Sequence, residues 1–349
     1  MKSMTLAVGS LALPFVLGAG PRAGVSIKEW DVPTPNSRPH DPAVGPDGAL
    51  WYTGQMANKL GRLDPRSGQF KEFPLKTPGS GPHGLVADGE GNMWFTAIFK
   101  HYIGKLDPRT GTITEYPMPD ASADPHTPAL DGHGTLWFTT ERANFVGRLD
   151  THTGEVRLKE VPTPNAVPYG IVVARDGVPY FCEFGSNKLA SIDPQTMAIS
   201  EYDIKEPGAR PRRLALAPDG GIYYSDYARG YLGHFDPRSK RFEEWPSPGG
   251  AGSKPYGIAV TPDGIVWYSE SGIAPNTLVR FDPGTKALTS RDSIGRRCGP
   301  EHGGGGGRAN LPGVQRRQQG RGSRPPRLNP KEASTTRRVG FSVDGRTPR

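Results

Sequence analysis

The tripeptides RPH, GPH, DPH, VPY, RPR and KPY end at His40, His83, His126, Tyr169, Arg212 and Tyr256, so their spacings are 43, 43, 43, 43 and 44 residues. Each is followed by a short apolar run and a turn closed by glycine, at Gly48, Gly91, Gly134, Gly177, Gly220 and Gly264. An aromatic landmark comes next: Trp51, Trp94, Trp137, Tyr180, Tyr223 and Trp267. A third run ends in Asp64, Asp107, Asp150, Asp193, Asp236 and Asp282, and a fourth reads KEFPL, TEYPM and SEYDI in its clearest copies. Self-similarity at such a period restricts the chain to repeat architectures.

Each unit contains four runs of four to six residues, rich in aromatic and branched side chains and separated by Asp, Gly and Pro turns. That is the pattern of a four-stranded antiparallel sheet, and no run is long enough for a helix. Four short strands per unit predict an all-β fold, a β-propeller of four-stranded blades around a central channel. Six blades are readable over residues 25–290, and a seventh is expected to be lost or incomplete. The entry segment Ile27–Asp31 matches a fourth strand, so it would close a last blade whose other strands should lie near the far end. The six aromatic landmarks are expected to fill the space between blades, and the six aspartates to form turns through bonds to the next backbone amides.

Equivalent positions in successive blades form rings around the channel, which turns the alignment into a site map. One ring is His40, His83, His126, Tyr169, Arg212 and Tyr256; a second is Gly54, Ala97, Thr140, Glu183, Asp226 and Glu270. Blades one to three offer histidines with neutral partners, and blades four to six offer Tyr, Arg and Tyr with three carboxylates. Framework positions would repeat, whereas these differ by half, as a ligand-facing surface would. His40, Tyr169, Arg212, Tyr256, Glu183, Asp226 and Glu270 are therefore candidate binding residues. Histidines converging near neutral pH could hold a divalent metal or move protons, with Asp124 two residues before His126 able to orient an imidazole. They could equally cap strand starts and meet only water, and Arg212 with Glu183 and Asp226 could be an ordinary ion-pair cluster.

The blocks PHGL, LWFTTE, NFVGRLD and TEYPMP resemble the virginiamycin B lyase, or streptogramin lyase, family of seven-bladed propellers, over roughly residues 25 to 290. The resemblance implies antibiotic resistance through Mg²⁺-assisted opening of a cyclic depsipeptide lactone by elimination, without water. Carried over by motif, His83, His126 and Asp124 are the catalytic and metal-binding residues. Thr140 holds the place of the family's strand glutamate, with Glu141 beside it. A propeller that binds a ligand or protein without chemistry, or a gluconolactonase-like lactone hydrolase, are the alternative readings.

Composition narrows the partners. The formal charge is +8, but residues 291–349 carry fourteen Lys/Arg and four Asp/Glu, a net +10, which leaves the remainder mildly acidic. No nucleic-acid partner is expected for such a body. That tail has one aromatic residue and five consecutive glycines, Gly303 to Gly307, so it reads either as a basic disordered tail or as an off-frame replacement of the final blade. Cys182 and Cys298, with no CxxC spacing, offer neither a disulfide scaffold nor a cysteine zinc site. Lys2, the apolar stretch Met4 to Leu17 and the small residues Gly18 to Gly20 have the layout of an export signal over residues 1–23, too short for a bilayer span. The mature chain is expected to be an exported monomer without a membrane span, acting on a small-molecule lactone.

Overall fold

The structure, a computed structural model, describes residues 27–292 and 338–339. The expected export signal and the rest of the basic tail lie outside the described residues. Six four-stranded antiparallel sheets follow one another around a ring, a six-bladed propeller with no helix among the described residues. The inner strands are Pro39–Val44, Pro82–Ala87, Pro125–Leu130, Pro168–Val173, Pro211–Leu216 and Pro255–Val260. There is no seventh four-stranded sheet among the described residues; the entry strand Trp30–Asp31 pairs antiparallel with Arg338–Val339.

The turns form as their aspartates predict. Backbone amides of Arg66, Arg109, His152, Gln195, Arg238 and Gly284 each donate to the aspartate two residues earlier, at 2.8 to 3.1 Å. Within a blade, the second aromatic of the second strand lies over a glycine of the third: a Cβ on Gly104 would stand 2.1 Å from the Phe95 ring, and one on Gly147 2.3 Å from Phe138. Between blades, Trp51, Trp94, Trp137, Tyr180 and Tyr223 are buried, as expected of interblade wedges. Trp267 is only half-buried.

A hydrogen-bonded latch joins each of blades one to five to the next. Thr53, Thr96, Thr139 and Ser225 donate a hydroxyl to the carbonyls of His83, His126, Tyr169 and Tyr256 in the following inner strand, and the Cys182 thiol donates to the Arg212 carbonyl at 2.9 Å. Each of these side chains also accepts an amide from its own inner strand, so one small group serves two strands. Cys182 is thus a structural thiol, and burial pushes its pKa up to about 12. Ser269 holds the equivalent place in blade six and accepts from Gly257 N at 3.1 Å, but among the described residues no following strand takes its proton. The glycines agree. A Cβ on Gly84 would lie 2.3 Å from the His126 carbonyl oxygen and one on Gly170 2.7 Å from that of Arg212, whereas one on Gly257 meets only Ser269 Oγ at 3.6 Å. Val44 is 64% exposed on the other flank. The ring therefore has a seam between blades six and one, where an interblade face stands without a neighbouring blade among the described residues.

Candidate functional site

The first residue after each inner-strand proline faces the channel, because a bulge interrupts pairing with the second strand just beyond it. The first predicted ring therefore assembles. His40 and His83 have ring centroids 3.8 Å apart, His83 and His126 4.0 Å, and His126 and Tyr169 4.1 Å. The guanidinium of Arg212 follows, 4.8 Å from the Tyr169 ring and 4.3 Å from that of Tyr256. It donates to Tyr169 Oη at 2.9 Å, and the two tyrosine hydroxyls meet at 3.0 Å. Six side chains from six blades thus make one continuous floor across the channel.

Arg212 is not paired with Glu183 or Asp226. Its guanidinium lies among the faces of Tyr169, Phe184, Tyr227 and Tyr256, an aromatic box that stabilises a cation through ring quadrupoles. The second predicted ring turns away from the channel. Asp226 accepts from the amides of Arg210, Ala228 and Arg229 and pairs with the Arg229 guanidinium. Glu270 accepts from Ser247 Oγ at 2.5 Å, from Gly249 N at 2.7 Å and from Thr277. Glu183 accepts from Ser186 Oγ at 2.7 Å, with burial lifting its pKa to about 7. Thr140 exchanges hydrogen bonds with the Phe145 backbone. These residues satisfy loops of their own blades: Glu183, Asp226 and Thr140 bond at the turn between second and third strands, and Asp226 and Glu270 also hold the segment that leads into the first strand.

Asp124 does the same from another direction: its oxygens accept from Arg142 N at 3.0 and 3.2 Å and from Ala143 N at 3.3 Å. The effect is to hold the loop that presents Glu141, whose Oε2 lies 3.7 Å from His126 Nε2. Glu141 belongs to a further ring, one residue beyond the second, with Phe184 and Tyr227 as wall residues above the floor. Burial first, and then the neighbouring Asp124 charge, raise the Glu141 pKa. Burial also drives His83 and His126 well below 6.5, with the adjacent imidazoles and arginines adding to it, so both rings are neutral with a free lone pair. A neutral imidazole 3.7 Å from a carboxyl can take a proton and have the resulting cation stabilised.

A buried His whose folded pKa lies below 6.5 binds fewer protons than in the unfolded chain, so its contribution is intact above pH 6.5 and is lost as pH falls below it. Glu183, raised to about 7, acts in the opposite sense over the same range. The contrast between wild type and His83→Gln isolates the imidazole: wild type should lose up to about 1.4 kcal/mol more per pH unit between pH 6.5 and its folded value. Thermal melts at pH 7.5 and 5.5 check it, and parallel losses in both proteins would contradict it.

The metal expected here is Mg²⁺, which takes hard oxygen donors in near-octahedral array. The residues do not suit it. His83 and His126 offer nitrogen, Asp124 spends both oxygens on loop amides, and Arg212 adds a buried positive charge to the same floor. Ligand atoms of His40, Asp41 and His83, by contrast, lie within 4.8 Å of one another.

The fold and floor define a propeller whose channel is closed by a polar, histidine-rich ring beneath a funnel of loops. The Virginiamycin B lyase family profile matches residues 21–276, and the chain belongs to that family. Among solved structures, virginiamycin B lyase from Staphylococcus aureus is 29% identical, covering 68% of this chain and 78% of that one with a TM-score of 0.63. A streptogramin B lyase is 26% identical, covering 77% and 87% with a TM-score of 0.71. A catalytically inactive histidine-to-alanine variant of the S. aureus enzyme has been solved with quinupristin. Regucalcin from Agrobacterium tumefaciens, at 15% identity, shares the fold alone. A search of curated proteins finds no match. No helix among the described residues is long and apolar enough to cross a membrane.

Proposed function

We propose that this chain opens a cyclic depsipeptide lactone by elimination, as a lyase of the streptogramin type, and so could confer resistance to such an antibiotic. The observation that carries the reading is the neutral His126 imidazole with Glu141 at 3.7 Å on the channel floor, in a chain of this family. His126 Nε2 would remove the acidic proton on the carbon beside a carbonyl of the bound ring. The carbon–oxygen bond of the ester then breaks, the carbonyl-side oxygen leaves as a carboxylate, and a carbon–carbon double bond remains. Glu141 stabilises the imidazolium formed, which returns its proton to solvent or product.

Negative charge developing on the substrate would face Arg212 and the Tyr169 hydroxyl, fixed donors that need no reorganisation during the reaction. Phe184 and Tyr227 offer apolar faces to a macrocycle above the floor. No step passes through a metal, since the floor supplies both a base and a cation. The test is to incubate the purified chain with a streptogramin B depsipeptide and follow the cyclic compound by liquid chromatography. Time-dependent conversion to a linear product supports the reading; an unchanged lactone at high enzyme concentration refutes it and leaves a binding propeller.

A further inference from the structure

Directly below the imidazole floor lies a second set of channel positions, Asp41, Gly84, Thr127, Gly170, Arg213 and Gly257, the residues that follow the floor residues in each blade. Glycine alternates with a functional side chain. At Gly84 and Gly170 a Cβ would strike the backbone of the next blade, so the channel wall there stays bare. Arg213 uses that width. It reaches from blade five across to blade one, where Nη2 lies 2.7 and 2.9 Å from the two oxygens of Asp41, and its Nη1 stands 3.3 Å from Thr127 Oγ1 in blade three.

The imidazoles above are tied to the same layer. His40 Nδ1 is 2.9 Å from Asp41 Oδ1 and His126 Nδ1 is 2.9 Å from Thr127 Oγ1. His83 has a glycine below it, and its Nδ1 is buried without a hydrogen-bond partner. Two imidazoles and a carboxylate with ligand atoms within 4.8 Å form a nitrogen and oxygen set that suits a divalent transition metal. Yet both oxygens of the carboxylate are already taken by a guanidinium, and a dication placed beside Arg213 would be repelled by it.

We propose that Arg213 is a built-in substitute for a divalent cation: its guanidinium holds the place between Asp41, His40 and His83 that a transition metal would otherwise occupy, and makes this centre metal-independent. The Arg213 charge is permanent and fixed by Asp41 on the far side of the channel, so the ring keeps its central positive charge whatever metal is in solution. Removing Arg213 leaves a buried carboxylate without its countercharge, beside preformed imidazole ligands.

Titration of the full-length, chelator-treated protein with Co²⁺, followed by visible absorption and thermal melting, tests this. Wild type should show no ligand-field band and a melting shift below about 1 °C at about 1 mM Co²⁺. Arg213→Met should acquire the band and gain about 5 °C or more, and Asp41→Asn added to it should abolish both. Should Arg213→Met not fold alone, recovery of folded protein with Co²⁺ but not with Mg²⁺ gives the same answer. A wild-type Co²⁺ band lost in Asp41→Asn would overturn the proposal, as would an Arg213→Met protein that binds no Co²⁺ or is not recovered by it. The readout is metal binding, so the outcome is independent of the lactone reading above.

Discussion

Replacing His126 by glutamine is expected to lower kcat for lactone opening by about 10²- to 10⁴-fold with little change in KM, since a general base acts in the transition state and not in substrate binding. Glutamine keeps a polar group beside Thr127 Oγ1, which the imidazole now contacts at 2.9 Å, so the floor can remain packed. The comparator is Asp124→Asn. Its carboxylate caps the amides of Arg142 and Ala143 and touches no imidazole by any hydrogen bond, so its loss should act through the placement of Glu141. Steady-state kinetics on both variants separates the roles. A His126→Gln enzyme with undiminished kcat would remove this imidazole from the chemistry.

Alanine at two equivalent glycines should have very unequal consequences for stability. Gly84→Ala places a methyl 2.3 Å from the His126 carbonyl oxygen and from Pro128 Cδ, both held in the next blade, and should cost about 3 kcal/mol. Gly257→Ala meets only Ser269 Oγ at 3.6 Å and should change stability by less than about 0.5 kcal/mol. Urea denaturation measures both. Equal costs would mean that the seam between blades six and one is covered by a close-packed neighbour. Among the described residues the two flanks of the seam present Gly257, Ala259 and the half-buried Trp267 on one side and Val44 on the other without a neighbouring blade, a situation that favours association.

The blade plan is written in the sequence because each blade repeats its side-chain requirements: an aromatic wedge, a glycine beneath an aromatic ring, an aspartate at the turn. The floor was legible for the same reason, since a bulge after proline puts the next residue into the channel in every blade. Glu183, Asp226 and Glu270 were harder. A carboxylate at the end of a second strand occupies the same repeat position whether it faces the channel or its own loop, and only the amides of Arg210, Ala228 and Gly249 decide. Asp124 and Glu141 exchanged significance in the same way, because the loop between them turns one toward backbone amides and the other toward His126 Nε2.

One further feature escaped the repeat alignment. The alternation of glycine with Asp41, Thr127 and Arg213 was visible one residue past the floor ring, but a crossing of the channel from blade five to blade one is a long-range contact that no single repeat encodes. The seam is expected from the repeat landmarks that fail to arrive after Ser290, although Trp267, Gly257 and Ser269 themselves match their counterparts in sequence. What distinguishes them is the following strand, and that is a property of the neighbouring blade.

Elimination on the channel floor is distinguished from hydrolysis by running the reaction in water enriched in heavy oxygen and weighing the linear product. Elimination predicts a product of the same mass as the cyclic substrate, carrying a new double bond and no heavy oxygen, because the ester oxygen leaves with its own carbonyl. A product heavier by one molecule of water, with the label in its new carboxylate, would rule out elimination and identify the floor as that of a lactone hydrolase.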